Sequence, residues 1–468
     1  MNDKTTSTEE LKAKDGWRKG AGKEQKRKYP FYAIEDPIEE NRIPVFLETL
    51  KAVLKDRLYD MPLDVYLNTC AGCNSCATQC HLYLTTGAIE DLPAYRSNLL
   101  RRVYKRYATL PGRLFGSLVG AKELDEETID RMIESFYRCT MCRRCGVECP
   151  MGVDNALLTR IGRCLLGVLN LAPKNFTVST MEQIYGATGN TSSIPKIAFL
   201  DTLDFLEEEM KELTGQTVIY PRDKVGAEIF FIAPVSDYIM EADTLMGCAI
   251  ALQTAGADWT IGTESYDAIN YGLFYSDLAT DKVLNKLLDE AHRLKVKRIL
   301  IGECGHATKT AVLFTQIFGK NKFPVNNIME YTANAIKQGK IKLNPEVNPD
   351  PVTYHDPCNL GRGLGIYDAP RDIIRAAVKN FVEMEPTREK NFCCGGGGGT
   401  VTVADMYNFR MKYAGIQKVE QVRKSGAKYL AAPCANCKKQ LRELMEYHKV
   451  PTEVIGVHDL LIKATVFQ

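Results

Sequence analysis

Twelve of the sixteen cysteines form tight local groups, in which neighbours are separated by two or three residues or by none. Cysteines this close together in the chain rarely pair well with each other as disulfides. A reducing compartment would not keep such bonds in any case. Grouped thiolates are instead typical ligands of metal ions and clusters. The spacing therefore predicts metal binding rather than a disulfide framework.

Two of the groups, at residues 70–80 and 139–149, share the spacing C-x2-C-x2-C-x3-C. Bacterial ferredoxins bind [4Fe–4S] clusters with this run, and its fourth cysteine reaches the neighbouring cluster. Structural zinc usually uses two separated pairs of ligands instead. We therefore predict two cubane [4Fe–4S] clusters. The ligands of one are Cys70, Cys73, Cys76 and Cys149, and those of the other are Cys139, Cys142, Cys145 and Cys80.

The surroundings of these two runs depart from those of a small ferredoxin. His81 stands where proline usually follows the fourth cysteine, and 58 residues separate the runs. The long insert favours a helical ferredoxin domain of the kind found in multi-subunit reductases. Arg143 and Arg144 lie inside the second run, where positive charge could raise the potential of a cluster. The alternative is that both arginines are solvated surface residues.

Five further cysteines form an ordered C-terminal set, in which 34 and 39 residues fill the two long gaps. They are Cys358, Cys393, Cys394, Cys434 and Cys437. Each follows a strand-like run, and ligand sites of α/β sheets gather at such strand ends. The glycines at 395–399 would let the backbone come near an inorganic ligand. A zinc ion with a spare thiol and an ordinary cubane with one free cysteine both remain open at this point.

The pattern around the cysteines predicts an α + α/β fold. Periodicity is mainly helical before about residue 180, and from about residue 226 short β-branched runs alternate with helices, which favours parallel sheets. We therefore expect a helical ferredoxin-type domain followed by two tandem α/β units with mainly parallel sheets. The predicted bounds are 1–30 for a flexible basic tail, 31–180 for the ferredoxin domain, 181–225 for a linker, 226–345 for the first α/β unit and 346–468 for the second.

The two α/β units repeat one sequence pattern. Residues 297–312 resemble 427–441, and residues 229–237 resemble 352–360. In this alignment Cys304 corresponds to Cys434, and the other four cysteines of the C-terminal set have no counterpart in the first copy. The first copy should therefore be a degenerate unit and the second a complete one.

Cys304 and His306 are the chemically versatile residues that the degenerate copy keeps. If the copies face each other across a pseudo-twofold axis, both residues would face the remaining cysteine site. Cys304 could then hold a substrate sulfur and His306 could move a proton, so both are candidate catalytic residues. The alternative is that both are relics packed in the core. Cys164 and Cys248 lie in apolar helical contexts, and we predict that both are buried structural residues.

The composition is that of an ordinary globular chain of 468 residues, with 45% hydrophobic residues, 25% charged residues and a net charge of +2. Such a balance gives no electrostatic case for nucleic acid. No apolar run approaches the roughly 18 residues that a membrane span needs. We expect no signal peptide and a cytoplasmic location. The basic residues 1–30 fit a flexible tail, or an arm that orders along a partner or an anionic membrane surface.

The C-terminal pattern, with HDPCNLGR at 355–362, YDAPRDII at 367–374 and FCCGGGG from Phe392, resembles the CCG motif of the HdrD-like proteins, the catalytic subunits of heterodisulfide reductases. Within that iron–sulfur family the chain looks most like the DsrK and TmcB subunits of sulfur-metabolism membrane complexes. The resemblance implies that the five C-terminal cysteines bind a non-cubane [4Fe–4S] cluster, where thiol–disulfide chemistry occurs.

The resemblance also implies a function. The chain would be the catalytic subunit of a membrane-associated complex at the cytoplasmic face, with a cytochrome b-type membrane subunit and further redox subunits as partners. Its expected substrate is a disulfide or trisulfide on a DsrC-like sulfur-carrier protein, in either direction of electron flow. One alternative is an electron-transfer subunit of a flavin-dependent glycolate, lactate or glycerol-3-phosphate dehydrogenase. Another is a non-enzymatic scaffold that binds zinc.

Overall fold

The computed structural model describes residues 32–317 and 322–467, so the basic tail predicted at 1–30 lies outside the described residues. The chain divides into two compact units. Unit 1 comprises the chain up to Thr177, Phe274–Ser276 and Phe392–Gln417, and unit 2 comprises Val178–Leu273, Asp277–Asn391 and Lys418–Gln468. The segment with the paired cysteines thus groups with unit 1, whereas the predicted bounds, which stay a prediction, place it in the second α/β unit.

Unit 1 is built from helices joined by the two cysteine-rich loops. Its α-helices are Arg42–Val53, Asp60–Thr69, His81–Thr86, Pro93–Ala108, Leu110–Phe115, Glu126–Arg138, Arg144–Val147, Asn155–Gly167 and Tyr407–Phe409, with 3-10 turns at Ser75–Gln79 and Gly116–Val119 and a π-helical turn at Arg410–Ala414. The helices Lys174–Tyr185 and Ile416–Ser425 contain points at which the chain passes between the units.

The helix Glu126–Arg138 shows how the sequence positions a cysteine loop. Asp125 caps its first turn by accepting a hydrogen bond from the Thr128 amide, which satisfies a donor that the helix leaves open. Its apolar residues recur at helical spacing and are buried, so that one face packs in the core. The helix ends at Cys139, the first cysteine of the second run.

Unit 2 contains two four-stranded sheets, and all strand pairs in both are parallel. The strands are β1 (Ile229–Ile232), β2 (Trp259–Thr260), β3 (Arg298–Ile301), β4 (Val325–Asn327), β5 (Pro351–Tyr354), β6 (Asn380–Val382), β7 (Tyr429–Ala431) and β8 (Glu453–Ile455). Their orders are β2-β1-β3-β4 and β6-β5-β7-β8, which are the same order taken twice. The predicted α + α/β fold is confirmed, and the two sheets follow the internal repeat read from the sequence.

Helices connect the strands of both sheets, as parallel pairing requires. The helices of unit 2, including one before the first strand and one after the last, are Lys196–Thr214, Asp237–Met240, Ala242–Thr254, Asp277–Arg293, Gly305–Ala311, Ile328–Lys337, Gly361–Leu364, Asp368–Ala377, Ala435–Tyr447 and Asp459–Ala464, with a π-helical stretch at Val312–Ile317. The central strand β1 is buried at every residue, which explains its continuous apolar run.

Two details differ from the sequence reading. The alternating pattern after residue 226 does not show that the helices Asp237–Met240 and Ala242–Thr254 are separated at Glu241, which leaves the helical conformation (φ −134°, ψ 45°) and forms ion pairs with Lys438 and Arg442. Cys248 is buried as expected, but Cys164 is only partly buried. None of the described helices is long and apolar enough to cross a membrane.

Candidate cluster and thiol site

The ferredoxin-type cysteines of unit 1 surround two cavities. One is lined by Cys70, Cys73, Cys76 and Cys149. The other is lined by Cys80, Cys139, Cys142 and Cys145. Each cavity thus brings together three cysteines of one run and the fourth cysteine of the other, which is the grouping that the spacing predicts. Four thiols around one small cavity are the donor set of a four-iron cluster, so these residues fit the predicted cofactors.

The two cavities differ in their exposure and charge. Cys73 in the first cavity is exposed, and its contact with Ser75 (Sγ–Oγ 3.3 Å) lowers its pKa. Around the second cavity, desolvation raises the pKa of Cys80 to about 11, against the opposing charge of Arg96. Arg96 is buried and lines this cavity. Its charge offsets the negative charge that thiolates and a cluster would bring there.

The glycines of unit 1 that follow the paired cysteines lie against the second ferredoxin-type run. A Cβ atom on Gly397 would stand 2.6 Å from the Thr140 carbonyl oxygen, and one on Gly398 would stand 2.8 Å from that of Cys139. Gly398 also has a positive φ of 63°, which side chains rarely adopt. The glycine run is therefore required for the close approach of this segment to the Cys139 loop.

His81 connects the same two segments. Its Nδ1 lies 2.9 Å from the Ala414 carbonyl oxygen and its Nε2 lies 3.0 Å from Thr140 Oγ1. A ring nitrogen of His81 and the Sγ atoms of Cys142 and Cys393 all lie within 4.8 Å of one another, and all three residues are buried. Unit 1 thus places a cysteine of the C-terminal set beside a cysteine of the second ferredoxin-type set.

Two buried arginines complete this junction. The Arg163 side chain donates hydrogen bonds to the carbonyl oxygens of Gly398 (2.6 Å) and Cys139 (2.7 Å). Arg144 stacks its guanidinium over the Phe392 ring, 4.1 Å from the centroid, and is 5% exposed. The reading of Arg144 as a solvated residue is therefore wrong, because packing against Phe392 removes the guanidinium from water.

In unit 2, Cys304 and Cys434 occupy equivalent places in the two copies. Each stands at the N-terminal cap of the helix that follows a central strand, and Cys304 Sγ accepts from the Ala307 amide at 3.4 Å. The two thiols lie close enough to shift each other's pKa. Hydrogen bonds from Cys304 and then from Cys437 hold the pKa of Cys434 well below its usual value, whereas that of Cys304 is raised. The two copies thus bring their matching cysteines together.

In the degenerate copy, His306 forms a hydrogen bond at the position that aligns with Cys393. His306 Nε2 donates to the Asn270 carbonyl oxygen at 2.8 Å, and the sequence alignment places Asn270 opposite Cys393. Burial lowers the pKa of His306 to about 4, so the ring is neutral near pH 7. His306 therefore sits close to the relic of the cysteine pattern, with one nitrogen engaged by the backbone.

Glu303, the residue before Cys304, fixes one copy to the other. Its carboxylate accepts a hydrogen bond from the His458 amide (2.7 Å) and lies 2.8 Å from His458 Nδ1. Its carbonyl oxygen accepts from the Ala435 amide at 3.2 Å, directly after Cys434. The side chains of Glu303 and His458 are fully buried. The Cys304 and Cys434 helix starts are therefore held in one rigid frame.

The remaining C-terminal cysteines divide between the units. Cys358 and Cys437 lie in unit 2 with Cys434, whereas Cys393 and Cys394 lie in unit 1. Cys358 is partly buried after β5, and the other four are buried. Their joint role as ligands of one cluster stays a prediction.

Sequence reasoning missed three residues of the junction in unit 1. His81 carried a signal, because it departs from the proline usual at its position. Arg163 and the buried state of Arg144 carried none, since a helical arginine reads as a surface residue until its distant partners are known.

Comparison with known proteins agrees with this layout. A family model for a 4Fe-4S dicluster domain matches residues 66–153, and a model for the cysteine-rich CCG domain matches residues 352–442. The first range contains both ferredoxin-type runs, and the second contains all five C-terminal cysteines. The fold and these matches define an iron–sulfur protein with a dicluster domain and a cysteine-rich CCG domain.

The chain is 30% identical to the Hdr-like menaquinol oxidoreductase iron-sulfur subunit 2 of Archaeoglobus fulgidus, over 94% of this chain and 87% of the relative. It is 29% identical to the Hdr-like menaquinol oxidoreductase iron-sulfur subunit of Archaeoglobus profundus over the same shares. It is 25% identical to the D-type subunit of the dihydromethanophenazine:CoB--CoM heterodisulfide reductase of Methanosarcina mazei, over 85% of this chain and 94% of the relative. The chain belongs to the family of heterodisulfide reductase-like iron–sulfur subunits.

Proposed function

We propose that this chain is the catalytic subunit of a membrane-associated complex and that it reduces, or reversibly forms, a disulfide or trisulfide. Its proposed cofactors are two cubane [4Fe–4S] clusters and one non-cubane [4Fe–4S] cluster. The proposed ligands of the last are Cys358, Cys393, Cys394, Cys434 and Cys437. When bound, the clusters supply one-electron steps, and cleavage of one disulfide consumes two electrons and two protons to give two thiols.

The observation that carries this proposal is the nearness of Cys393 and Cys142 in unit 1, where both sulfur atoms and a His81 nitrogen lie within 4.8 Å. Electron exchange between centres falls steeply with distance, so contact between the two cysteine sets supports transfer between them. The set with Cys139, Cys142 and Cys145 is therefore the proposed neighbour of the C-terminal set. The set with the exposed Cys73 is the proposed place where electrons reach the chain.

The chain's own residues have distinct proposed parts in this scheme. His81 and Arg163 keep the paired-cysteine segment on the Cys139 loop through their hydrogen bonds to Ala414, Thr140 and Gly398. Cys304 is proposed to hold a substrate sulfur, which its contact with Cys434 supports. His306 is proposed to move a proton, with its neutral ring fixed through Nε2.

The partners are proposed from the relatives. Relatives of this chain are named as menaquinol oxidoreductase and heterodisulfide reductase subunits, which supports a membrane complex with a cytochrome b-type subunit at the cytoplasmic face. The proposed substrate is a DsrC-like sulfur-carrier protein with a C-terminal cysteine arm. The proposal covers both directions of electron flow, and the physiological electron donor determines which one operates.

A single-turnover assay tests the proposal. Dithionite-reduced, iron-replete protein is mixed anaerobically with a DsrC-like protein that carries a disulfide or trisulfide, and the thiols released are counted. We expect thiol formation together with cluster oxidation in the wild type and in Cys164→Ser. Cys393→Ser should lower the rate by roughly a hundredfold or more.

Two results would contradict the proposal. One is thiol release by Cys393→Ser at the wild-type rate. The other is a wild-type protein that takes up zinc in place of the iron of the C-terminal set, which would support a scaffold. Purification of a flavoprotein with the chain, without any disulfide reduction, would favour the flavin-dehydrogenase alternative.

A further inference from the structure

The insert between the two ferredoxin-type runs carries an exposed apolar tip, which we define as Leu110, Leu114, Phe115 and Leu118. These side chains are 69%, 67%, 57% and 87% exposed. All four lie within nine residues, on the helix Leu110–Phe115 and the 3-10 turn Gly116–Val119. Concentrated exposure of bulky apolar groups on a short helical segment marks an interaction surface rather than the scattered exposure common on proteins.

The fold presents this tip rigidly. Thr109 caps the short helix by accepting from the Gly112 amide at 3.2 Å, and Lys105 Nζ donates to the Val119 carbonyl oxygen at 3.0 Å. A Cβ atom on Gly112 would stand 1.9 Å from the Lys105 carbonyl oxygen, so glycine is required where the segment turns back on the preceding helix. The apolar side chains are therefore held outward by specific contacts.

The charged residues around the tip indicate which kind of surface would bind it. Residues 92–122 contain seven Lys and Arg and no Asp or Glu. Arg106 pairs with Glu123 and Lys122 pairs with Asp125, and within the described part of the chain no carboxylate forms an ion pair with the other five: Arg96, Arg101, Arg102, Lys105 and Arg113. Of these five, Arg102 and Arg113 are exposed. Arg96 is buried against the second cysteine cavity, so Arg102 and Arg113 are the exposed positive charges next to the apolar tip in the chain.

We propose that the tip inserts into the surface of an anionic phospholipid membrane. Such a surface offers an apolar layer beneath negative headgroups, which matches apolar side chains flanked by basic ones. A second copy of this chain would set like charges against each other. The proposal stands on this segment alone and holds whatever substrate the cysteine sites act on.

Vesicle co-sedimentation of the iron-replete, full-length protein tests the proposal. We expect binding to vesicles of phosphatidylcholine with about 30% phosphatidylglycerol, weaker binding to phosphatidylcholine alone, and loss of binding as salt screens the charges. Phe115→Ser combined with Leu118→Ser should lower binding by about tenfold or more. Arg102→Gln combined with Arg113→Gln should remove the preference for anionic lipid.

A matched control changes exposed apolar residues elsewhere. Phe205→Ser combined with Leu213→Ser, at positions 57% and 54% exposed in unit 2, should bind vesicles as the wild type does. Iron content and circular dichroism equal to the wild type show that each variant folds. Equal sedimentation of the wild type and the tip variant overturns the proposal. So does binding that requires a membrane protein in the vesicles, or a wild-type dimer that the tip substitutions dissociate.

Discussion

The two α/β copies of unit 2 have the same strand order but differ at the ends of their central strands. The offset that pairs Pro234 with Pro357 also pairs Ala233 and Val235 of the first copy with Asp356 and Cys358 of the second. Ala233 and Val235 are completely buried. The first sheet thus forms with apolar residues at these positions, so this strand order does not itself require a carboxylate or a thiol there.

The first copy lacks the complete cysteine pattern, but its remaining residues still contact the second copy. In the first copy, the side chain of His306 donates a hydrogen bond to the backbone of Asn270, the residue that aligns with Cys393, whereas His306 itself aligns with Asn436. Cys304 remains and contacts Cys434. The two copies thus share one strand order although only one of them has the complete cysteine pattern.

The largest expected effect is a difference in disulfide reduction between variants of the two matching cysteines, Cys434 and Cys304. Cys434→Ser should remove the C-terminal cluster and lower disulfide reduction by roughly a hundredfold or more, since a ligand is lost. Cys304→Ala should keep full iron content and lower the rate by about tenfold, because only a proposed contact to the substrate sulfur is removed. Rate and iron per chain measured for both variants check this. An unchanged rate in Cys304→Ala would assign Cys304 to packing alone.

A buried ion pair that the first copy lacks gives the next effect. Arg371 donates from its two terminal guanidinium nitrogens to the two carboxylate oxygens of Asp356 at 2.7 and 2.8 Å, and both side chains are buried. Arg371→Met should cost about 3–5 kcal/mol of stability, because Asp356 is left as an uncompensated buried charge.

Copying the first sheet provides the control for that prediction. At the same offset, Cys248 of the first copy corresponds to Arg371 and Ala233 corresponds to Asp356. The double variant Arg371→Cys with Asp356→Ala therefore gives the second copy the apolar residues of the first. Urea unfolding midpoints should show that the double variant loses less stability than Arg371→Met. A larger loss in the double variant would mean that the pair supports the second sheet in a way that the first does not need.

The smallest expected effect is a change in the stability of the protein as the pH falls. His306 has a folded-state pKa of about 4, below the unfolded value near 6.5. The unfolded chain therefore binds a proton first as the pH falls, so His306 removes about 1.4 kcal/mol of stability per pH unit between these two values. His306→Gln, which can still donate to Asn270, should reduce the loss of stability between pH 7 and pH 5. Equal losses in the wild type and the variant would contradict the buried neutral assignment.

The cysteine groups and the two sheets could be predicted from the sequence, because they depend on patterns of residues that are close together in the chain. The spacing of each cysteine run gave the two groups of four that line the cavities, and the repeated strand and helix pattern gave two similar parallel sheets. Cys304 was found by aligning the copies. These signals depend on neighbours in the chain or on a constant offset between repeats.

The junction in unit 1 could not be predicted, because it depends on contacts between distant segments. His81 and Ala414 are more than three hundred residues apart in sequence, and most of unit 2 lies between Arg144 and Phe392 along the chain. Nothing local in the glycine run says which loop it approaches. The grouping of Phe392–Gln417 with unit 1 likewise follows from packing alone.

The central claim is that the complete copy, and not the degenerate one, contributes to a third cluster. Iron analysis and electron paramagnetic resonance of the oxidised, thiol-treated protein, in Cys393→Ser beside Cys304→Ala, test it most directly. We expect about twelve irons per chain in the wild type and in Cys304→Ala, with a signal broadened by iron-57. Cys393→Ser should hold about eight irons and lack that signal. Twelve irons and an unchanged signal in Cys393→Ser would contradict this claim.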